Sequence, residues 1–346
     1  HAFTRDDPVG VAALITPWNG ALVSAAWKLA PALAAGCSCV LKPSEMTSLS
    51  SLYFGRLLAE AGIPDGVVNI VTGPGSQIGS RLVRNARVAK VSFTGSTATG
   101  KAIINDSRDN ITRLSLELGG KSPVLIFDDA DLDTAIPAAA EAIFSNAGQV
   151  CVAGSRIYAQ SGVYDRVVEG LVKIAEDFRI GSGLDPASTM GPLIGAAHQQ
   201  RVSGMVEQAK ADGAQAATGG SSCEGAGSFY RPTVLIGAAQ ATEVVQEEVF
   251  GPVLCVIPFE DEAEAIAIAN GTDYGLVASV WTRDGARQKR VAKALLCGQI
   301  FVNNYGAAGG VELPFGGVRK SGHGREKGLV ALHEFSRIKT VVNYFG

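Results

Sequence analysis

The chain has 346 residues, of which 47% are hydrophobic and 18% charged, and it contains 42 glycines. This length is sufficient for two domains with separate cores, and the composition is typical of a soluble α/β protein. The formal net charge of −3 excludes a strongly basic surface for nucleic acid or an anionic membrane, so small-molecule chemistry is favoured.

The cysteines indicate a reducing compartment. Six of them are scattered along the chain without the spacing of a disulfide framework or a zinc site. We therefore expect no metal and a cytoplasmic protein. The most apolar stretch, residues 21–41, is interrupted by Lys28 and Pro31, which predicts a buried helix followed by a strand and no membrane span.

The first half of the chain alternates apolar strands with amphipathic helices, which predicts a parallel sheet with right-handed crossovers. The predicted strands are Gly10–Thr16, Ser38–Lys42, Val67–Thr72, Lys90–Thr94 and Leu114–Leu118. The predicted helices are Leu22–Ala35, Ser48–Ala61, Ser76–Asn85 and Thr97–Asp106. This architecture is typical of nucleotide-binding domains.

A second α/β half begins near Lys121. Its predicted elements are strands at Val124–Phe127 and Ser155–Ala159 and helices at Ala135–Ser145 and Val163–Asp177. The final residues, Ile338–Tyr344, predict a lone strand whose open edges favour pairing with a partner chain.

A cysteine flanked by small residues follows an apolar helical segment. Cys151 can therefore be approached closely by a ligand, and upstream Glu117 is the one carboxylate in a strand-like alternation that ends on two glycines. A two-step acyl transfer uses such a pair, the thiol to form a covalent adduct and the carboxylate to activate water. Each residue has a plainer interpretation: Cys151 as an inert core thiol, and Glu117 as a strand residue facing water.

Two segments suggest a nucleotide site. Gly73–Gly79 follows a strand, but its glycine spacing is one residue too long and no acidic residue ends the next strand, so a helix-start turn is favoured. Phe93–Gly100 is the better candidate, because its hydroxyl residues open a helix whose backbone N–H groups could face a pyrophosphate. A Ser or Thr helix cap would explain the same pattern.

Leu116–Lys121 followed by Asn146–Cys151 resembles the paired signatures of the aldehyde dehydrogenase superfamily. Further motifs agree in order and spacing: Pro17–Asn19, Lys42–Glu45, Phe93–Ser96, Glu248–Pro252 and Pro314–Gly317. The resemblance runs from about Val9 to the C-terminus. It implies a Rossmann-like parallel-sheet NAD-binding domain at 1–119, a second α/β catalytic domain at 120–320, and a C-terminal segment at 321–346 that carries an oligomerisation strand.

The resemblance also implies a covalent mechanism for oxidising an aldehyde to its acid. Cys151 would be the nucleophile, and Asn19 together with the nucleophile's backbone N–H would stabilise the oxyanion. Glu117 would activate the water that hydrolyses the thioester; its presence argues against a relative that passes the acyl group to CoA. Without the resemblance, Asn19 is equally well explained as a turn residue.

The implied cofactor is NAD, with NADP as the alternative. By resemblance Lys42 and Glu45 reach the adenosine ribose, and the Glu45 carboxylate should accept the 2′-hydroxyl and repel a 2′-phosphate. Glu248 would bind the nicotinamide ribose and Phe250 would pack near the nicotinamide; without the resemblance, these charged residues read as solvated. The predicted cofactor-binding residues are Thr16, Pro17, Trp18, Lys42, Ser44, Glu45, Gly75, Phe93, Gly95, Ser96, Thr99, Leu118, Gly119, Glu248 and Phe250.

The predicted substrate pocket has unusually small side chains. Its predicted residues are Gly20, Trp27, Ser145, Val150 and Phe315. Gly20, Ser145 and Val150, with Ala307 and Ala308, stand at positions where bulkier residues are frequent in the superfamily. We therefore expect a roomy tunnel that suits a bulky or aromatic aldehyde or semialdehyde.

Usual superfamily members carry an additional segment before the point where this chain begins, at His1, so we expect an incomplete cofactor domain. That expectation strengthens the alternative of a catalytically silent structural or interaction protein. A cysteine hydrolase is disfavoured, because none of the four histidines stands in a recognisable signature around Cys151. The expected partners are a small-molecule aldehyde and further copies of the chain, in a homodimer or homotetramer.

Overall fold

The computed structural model describes residues 1–306 and 310–346. The strands are β1 Ala2–Pro8, β2 Val11–Ile15, β3 Ser38–Lys42, β4 Val68–Ile70, β5 Val88–Thr94, β6 Arg113–Glu117, β7 Pro123–Ile126, β8 Arg156–Gln160, β9 Gln215–Thr218, β10 Thr233–Ile236, β11 Val253–Phe259, β12 Val277–Trp281, β13 Gln299–Val302, β14 Gly322–His323 and β15 Ser336–Val342. The α-helices are α1 Ala21–Ala34, α2 Ser48–Glu60, α3 Ser80–Val83, α4 Thr97–Ser107, α5 Leu132–Phe144, α6 Tyr164–Glu176, α7 Ala196–Ala211, α8 Glu243–Gln246, α9 Glu262–Ala269, α10 Gly285–Ala294 and α11 Val330–Glu334.

The described residues form two compact units. The first comprises residues 1–118, 310–317 and 321–346, and the second comprises residues 119–306 and 318–320. The C-terminal segment therefore belongs to the same unit as the first half of the chain. The separate cofactor and catalytic roles given to the domains remain a prediction.

The first unit is built on a six-stranded sheet in the order β14-β6-β5-β2-β3-β4. Its strands are parallel except for β14, which pairs antiparallel with β6. From β2 the chain winds outward through β3 and β4, and then returns to β5 on the other side of β2. The boundary between β2 and β5 is therefore a topological switch point, where open α/β sheets bind ligands. This confirms the predicted Rossmann-like fold class.

Both faces of this sheet are covered. Leu14 of β2 packs in a core cluster with Leu29 of α1, whereas its neighbour Ala13 packs in a second cluster with Ile103 of α4. Successive strand residues point to opposite faces, so a central strand with helices on both sides must be apolar throughout. The burial of Ala12, Ala13, Leu14 and Ile15 explains why this segment shows no polar alternation.

The second unit contains a seven-stranded sheet in the order β13-β12-β7-β8-β11-β10-β9. It is parallel except for β9, which is antiparallel to β10. Leu125 and Ile126 of β7 lie in different core clusters, so this sheet is also covered on both faces. In the part of the chain that the structure describes, no helix is long and apolar enough to cross a membrane.

The predicted C-terminal strand is present as β15, but the prediction that it stands alone is wrong. β15 pairs antiparallel with β1 along its length, from Ala2 opposite Val342 to Pro8 opposite Ser336. The side chain of Asp7 in β1, which is buried, accepts a hydrogen bond from Arg5 and forms an ion pair with Lys339 of β15. The sequence of β1 is charged and has no apolar alternation, so its pattern gave no sign of a strand.

The predicted helix Ser76–Asn85 is also shorter and less regular than expected. The chain forms a π-helical turn over Gly75–Gly79 and continues into α3. This helical turn is the alternative that the glycine spacing favoured over a dinucleotide fingerprint.

Candidate active site

Cys151 lies at the end of a strained loop that follows α5, here called the thiol loop (residues 145–151). Three consecutive residues adopt left-handed backbone angles: φ is 50° at Asn146, 52° at Ala147 and 72° at Gly148. Non-glycine residues in this region are strained, and such strain persists only where the surroundings fix it. Cys151 is half-buried, whereas Cys255 is buried, so the interpretation of Cys151 as a core thiol does not describe it.

The Gln149 side chain holds the thiol loop in place. Its Nε2 donates to the carbonyl of Asn146 at 3.0 Å, and its Oε1 accepts from the backbone N–H of Ile194 at 2.8 Å. The Asn146 amide donates in turn to the Gln149 carbonyl at 3.2 Å. Because this buried amide bonds both within the loop and outside it, the left-handed turn is tied to the surrounding protein.

Two glycines allow backbone segments to meet at this loop, and a third leaves room for a carboxylate. A Cβ atom at Gly148 would lie 2.0 Å from the Gly251 carbonyl oxygen, and one at Gly120 would lie 2.4 Å from the Cys151 carbonyl oxygen. A Cβ atom at Gly119 would lie 2.4 Å from a carboxylate oxygen of Glu248. A larger residue at Gly148 or Gly120 would push these backbone segments apart, whereas at Gly119 it would displace the Glu248 carboxylate.

The Glu248 carboxylate lies beside Gly119 and Gly120 in the second unit. Its Oε1 accepts a hydrogen bond from the Gly120 N–H at 2.9 Å. Burial raises the pKa of Glu248 to about 7, against the lowering effects of the Gly120 N–H, Lys121 and Arg201. Glu248 lines a small cavity with Gly148, Val150 and Phe250, whereas its neighbour Glu247 is exposed. The interpretation of Glu248 as a solvated residue therefore does not describe it.

Two side chains of α7 hold the backbone around Glu248, and the sequence analysis missed both. Arg201 donates to the carbonyls of Glu248 and Val249, each at 2.7 Å, and His198 Nε2 lies 2.7 Å from the carbonyl of Phe250. Phe250 has a φ of 57°, so this segment is strained too. The spacing of His198 and Arg201, one helical turn apart, was the only available signal.

Glu117 is a buried acid of the first unit. It ends β6, its exposed fraction is 4%, and its partner across the ladder is Gly322 of β14. Burial, assisted by Glu326, raises the pKa of Glu117 to about 8, although Lys28 and the Gly317 N–H act in the opposite direction. A strand residue facing water would have neither property, so that alternative is excluded.

A buried ion pair lies close to Glu117. Lys28 of α1 forms a salt bridge with Glu326 and donates to Ser92 of β5 at 3.1 Å. Lys28 and Glu326 are 298 positions apart in the chain, so no local sequence pattern could pair them. The pair places a lysine and a second carboxyl close enough to Glu117 to affect its pKa in opposite directions.

The predicted cofactor residues of the first unit gather at the carboxyl ends of its parallel strands. Thr16 follows β2, and its buried hydroxyl has no hydrogen-bond partner among the described residues. Lys42 ends β3, and its Nζ lies 3.2 Å from Glu45, whose pKa is lowered chiefly by a backbone hydrogen bond. Ser96 follows β5 and caps α4, accepting from the Thr99 N–H at 3.2 Å. The helix-cap alternative thus describes what the Ser96 side chain does here.

The other residues predicted for the cofactor site and the substrate pocket lie mainly in turns and at the ends of strands. Pro17, Trp18, Asn19 and Gly20 lie in the turn between β2 and α1, as the turn interpretation of Asn19 supposes. Ser44 caps a short 3-10 helix by accepting from the Met46 N–H at 3.3 Å. The remaining placements are Gly75 in the π-helical turn, Phe93 and Gly95 at the end of β5, Leu118 and Gly119 after β6, and Ser145 and Val150 in the thiol loop.

The aromatic pair predicted for the substrate pocket is in contact. The rings of Trp27 and Phe315 have centroids 5.5 Å apart at an angle of 57°. The first unit therefore brings Trp27 and Phe315 together, and the second brings Val150, Glu248 and Phe250 around one cavity. Ala307 and Ala308 lie outside the described residues.

The sheet topology of the first unit and the loop around Cys151 in the second define the class of the protein. A doubly wound sheet with a switch point is a nucleotide-binding architecture, and a half-buried thiol on a fixed loop is typical of enzymes that form covalent intermediates. Both features belong to an α/β enzyme that uses a nucleotide cofactor.

The comparisons give the particular family. A sequence model described as "Aldehyde dehydrogenase family" matches residues 1–341, and the chain belongs to that family. A betaine aldehyde dehydrogenase of Bacillus subtilis is 43% identical over 339 residues, which are 97% of this chain and 69% of the relative. An aldehyde dehydrogenase of Emericella nidulans is 43% identical over 340 residues, which are 98% of this chain and 68% of the relative.

Solved structures agree with this assignment. A betaine aldehyde dehydrogenase of Staphylococcus aureus in complex with NAD+ has a TM-score of 0.96 and 41% identity, covering 98% of this chain and 68% of that one. An NAD+ complex of an aldehyde dehydrogenase from Bacillus cereus has a TM-score of 0.97 and 44% identity, covering 98% and 69%. The resemblance, the fold class and the enzyme class predicted from the sequence are confirmed.

Proposed function

We propose that this protein oxidises a bulky aldehyde to the carboxylic acid with NAD, through a thioester on Cys151. The observation that carries the proposal is the thiol loop, in which three left-handed residues present a half-buried cysteine. Inert cysteines need no such strained support.

The residues of the first unit fit a dinucleotide. The unpartnered buried hydroxyl of Thr16 and the Lys42–Glu45 pair lie at the ends of neighbouring parallel strands, and the N-terminus of α4 follows the next strand at the switch point. Such an edge supplies a hydroxyl donor, a ribose-binding pair and a helix N-terminus for phosphate. The Glu45 carboxylate favours a free 2′-hydroxyl, hence NAD over NADP. In the second unit, Glu248 would accept from the nicotinamide ribose.

In the proposed mechanism, each chemical role falls to a residue of the chain. The Cys151 thiolate adds to the aldehyde carbon, and the Asn19 amide stabilises the resulting oxyanion. Bound NAD would supply the hydride acceptor for this carbon. Glu117 then removes a proton from a water molecule, which attacks the thioester and releases the acid and the free thiol. With a pKa of about 8, Glu117 can both take up and release that proton near neutral pH.

For the substrate we propose a bulky or aromatic aldehyde or semialdehyde, because Gly20, Ser145 and Val150 leave volume where larger side chains would fill it. The names of several relatives make betaine aldehyde the competing candidate. Comparing kcat/KM for benzaldehyde and acetaldehyde tests the size argument, and a clear preference for acetaldehyde would contradict it. A cytoplasmic location and a homodimer or homotetramer complete the proposal.

The test of function is NADH formation by wild type and two cysteine variants. Cys151→Ala should abolish turnover, whereas Cys223→Ala, which removes another half-buried thiol, should retain it. Turnover that survives in Cys151→Ala would overturn the assignment of the nucleophile. Absence of turnover in the wild type with a panel of aldehydes would instead favour the silent family member.

A further inference from the structure

A lysine ammonium lies over the aromatic pair of the predicted substrate pocket. Lys327 Nζ is 5.0 Å from the centroid of the Trp27 ring, whose neighbour Phe315 is 5.5 Å away. A cation at this distance from an indole face is held by the ring's quadrupole. One face of Trp27 is therefore already occupied by a positive charge of the protein.

The backbone fixes this lysine relative to Phe315. Phe315 and Glu326 exchange two backbone hydrogen bonds of 2.7 Å, so Lys327, the next residue, is anchored to the aromatic pair. Lys327 has a φ of 62°, a left-handed conformation that is strained for a lysine and that sets the direction of its side chain.

The same strip of chain reaches the proposed general base. A Cβ atom at Gly316, next to Phe315, would lie 3.0 Å from a carboxylate oxygen of Glu117. Burial raises the pKa of Glu117, and the charge of Glu326 adds to this rise. Lys327, Trp27, Phe315 and Glu117 thus form one contiguous cluster within the first unit, with the lysine at the aromatic end.

We infer that Lys327 selects substrates by charge and disfavours aldehydes that carry a cationic group. This inference rests on the proposed function and refines its substrate class to neutral or anionic aldehydes. A quaternary ammonium substrate needs aromatic faces free of other cations, and here it would meet a like charge. At separations of several ångströms in a partly solvated site, such repulsion amounts to about a tenfold loss in kcat/KM.

Two aldehydes of nearly the same shape test this directly. Betaine aldehyde carries a trimethylammonium group where 3,3-dimethylbutanal carries a neutral tert-butyl group. The quantity to measure is the ratio of kcat/KM for the neutral and the cationic aldehyde, in wild type and in variants. Differences in hydration of the two aldehydes cancel when variants are compared on this ratio.

Lys327→Glu should shift the ratio toward betaine aldehyde by about tenfold or more, and Lys327→Met should shift it part of the way. Lys173→Glu, which makes the same change in net charge on α6, should leave the ratio as in wild type. Equal ratios in wild type, Lys327→Met and Lys327→Glu would overturn the inference while leaving the proposed function intact. Absence of wild-type turnover with both of these aldehydes and with the panel that includes benzaldehyde would overturn the proposed function and the inference together.

Discussion

Replacing Glu117 by glutamine removes one titrating carboxyl from a position with an exposed fraction of 4% and keeps its shape. In the folded chain the pKa of Glu117 is raised from 4.5 to about 8, chiefly by burial. Between these two pH values the folded protein keeps a proton that the unfolded chain releases. The free energy of unfolding of the wild type must therefore fall as the pH rises through this interval.

The size of the effect follows from the interval. Each pH unit within it removes about 1.4 kcal/mol from the free energy of unfolding, so the whole interval from 4.5 to about 8 amounts to on the order of 5 kcal/mol. Below the interval both states are protonated, and above it both are ionised, so the loss is complete by about pH 9. Glu117→Gln has no such titrating proton. Its free energy of unfolding should therefore rise relative to that of the wild type as the pH increases.

Urea unfolding at pH 5, 7 and 9 measures this difference. Glu141→Gln, which changes an exposed carboxyl on α5, is the matched control and should run parallel to the wild type. A constant difference between Glu117→Gln and wild type across this range would refute the argument that burial keeps Glu117 protonated.

The same variant separates the two chemical stages. Thiol addition does not require Glu117 in the proposed mechanism, so Glu117→Gln should still release about one equivalent of NADH per active site in a rapid burst. Steady-state turnover should fall by roughly 10²- to 10⁴-fold, as expected for loss of a general base. Unchanged steady-state turnover would remove Glu117 from the mechanism.

Two further substitutions examine the second unit. Gly148→Ala should destabilise the protein by several kcal/mol, because its Cβ atom would lie 2.0 Å from a carbonyl oxygen, and should slow alkylation of the Cys151 thiol. The control is Gly62→Ala, which has a similar positive φ but open space around it and should cost only about 1 kcal/mol. Similar losses in urea unfolding for both variants would show that the close approach is unimportant. Arg201→Met should weaken NAD binding about tenfold, because the carbonyls of Glu248 and Val249 lose the hydrogen bonds that Arg201 donates. Fluorescence titration measures this affinity, and the melting temperature should change little. Arg179→Met, which removes a donor to a distant loop carbonyl, is the control, and equal NAD affinity in both variants would contradict the positioning role.

The regular elements could be predicted because their signals are local. β3 was predicted at its observed bounds, and β2, β6 and α4 within one or two residues, since buried parallel strands are continuous apolar runs between helices. β1 could not be found this way, because its stability comes from pairing with β15 at the other end of the chain.

The candidate site also has some features with local sequence signals and others that depend on contacts between distant residues. The position of Cys151 in a segment of small residues was visible in the sequence, but the left-handed angles that precede it were not. The pKa of Glu117 is raised chiefly by burial and further by Glu326, and both causes exist only in the folded chain. Similarly, His198 and Arg201 act on backbone carbonyls of a remote segment, and no side-chain pattern in the sequence reports such contacts.

The pairing of Lys28 with Glu326, 298 positions apart, has a consequence for biosynthesis. The ribosome releases α1 well before Glu326, the acid that pairs with the buried lysine of this helix. Until then the nascent first unit contains an unmatched ammonium in a half-finished interior, which should keep it open and dependent on chaperones. The buried environment of Glu117 can therefore form only after the chain has been synthesised as far as Glu326.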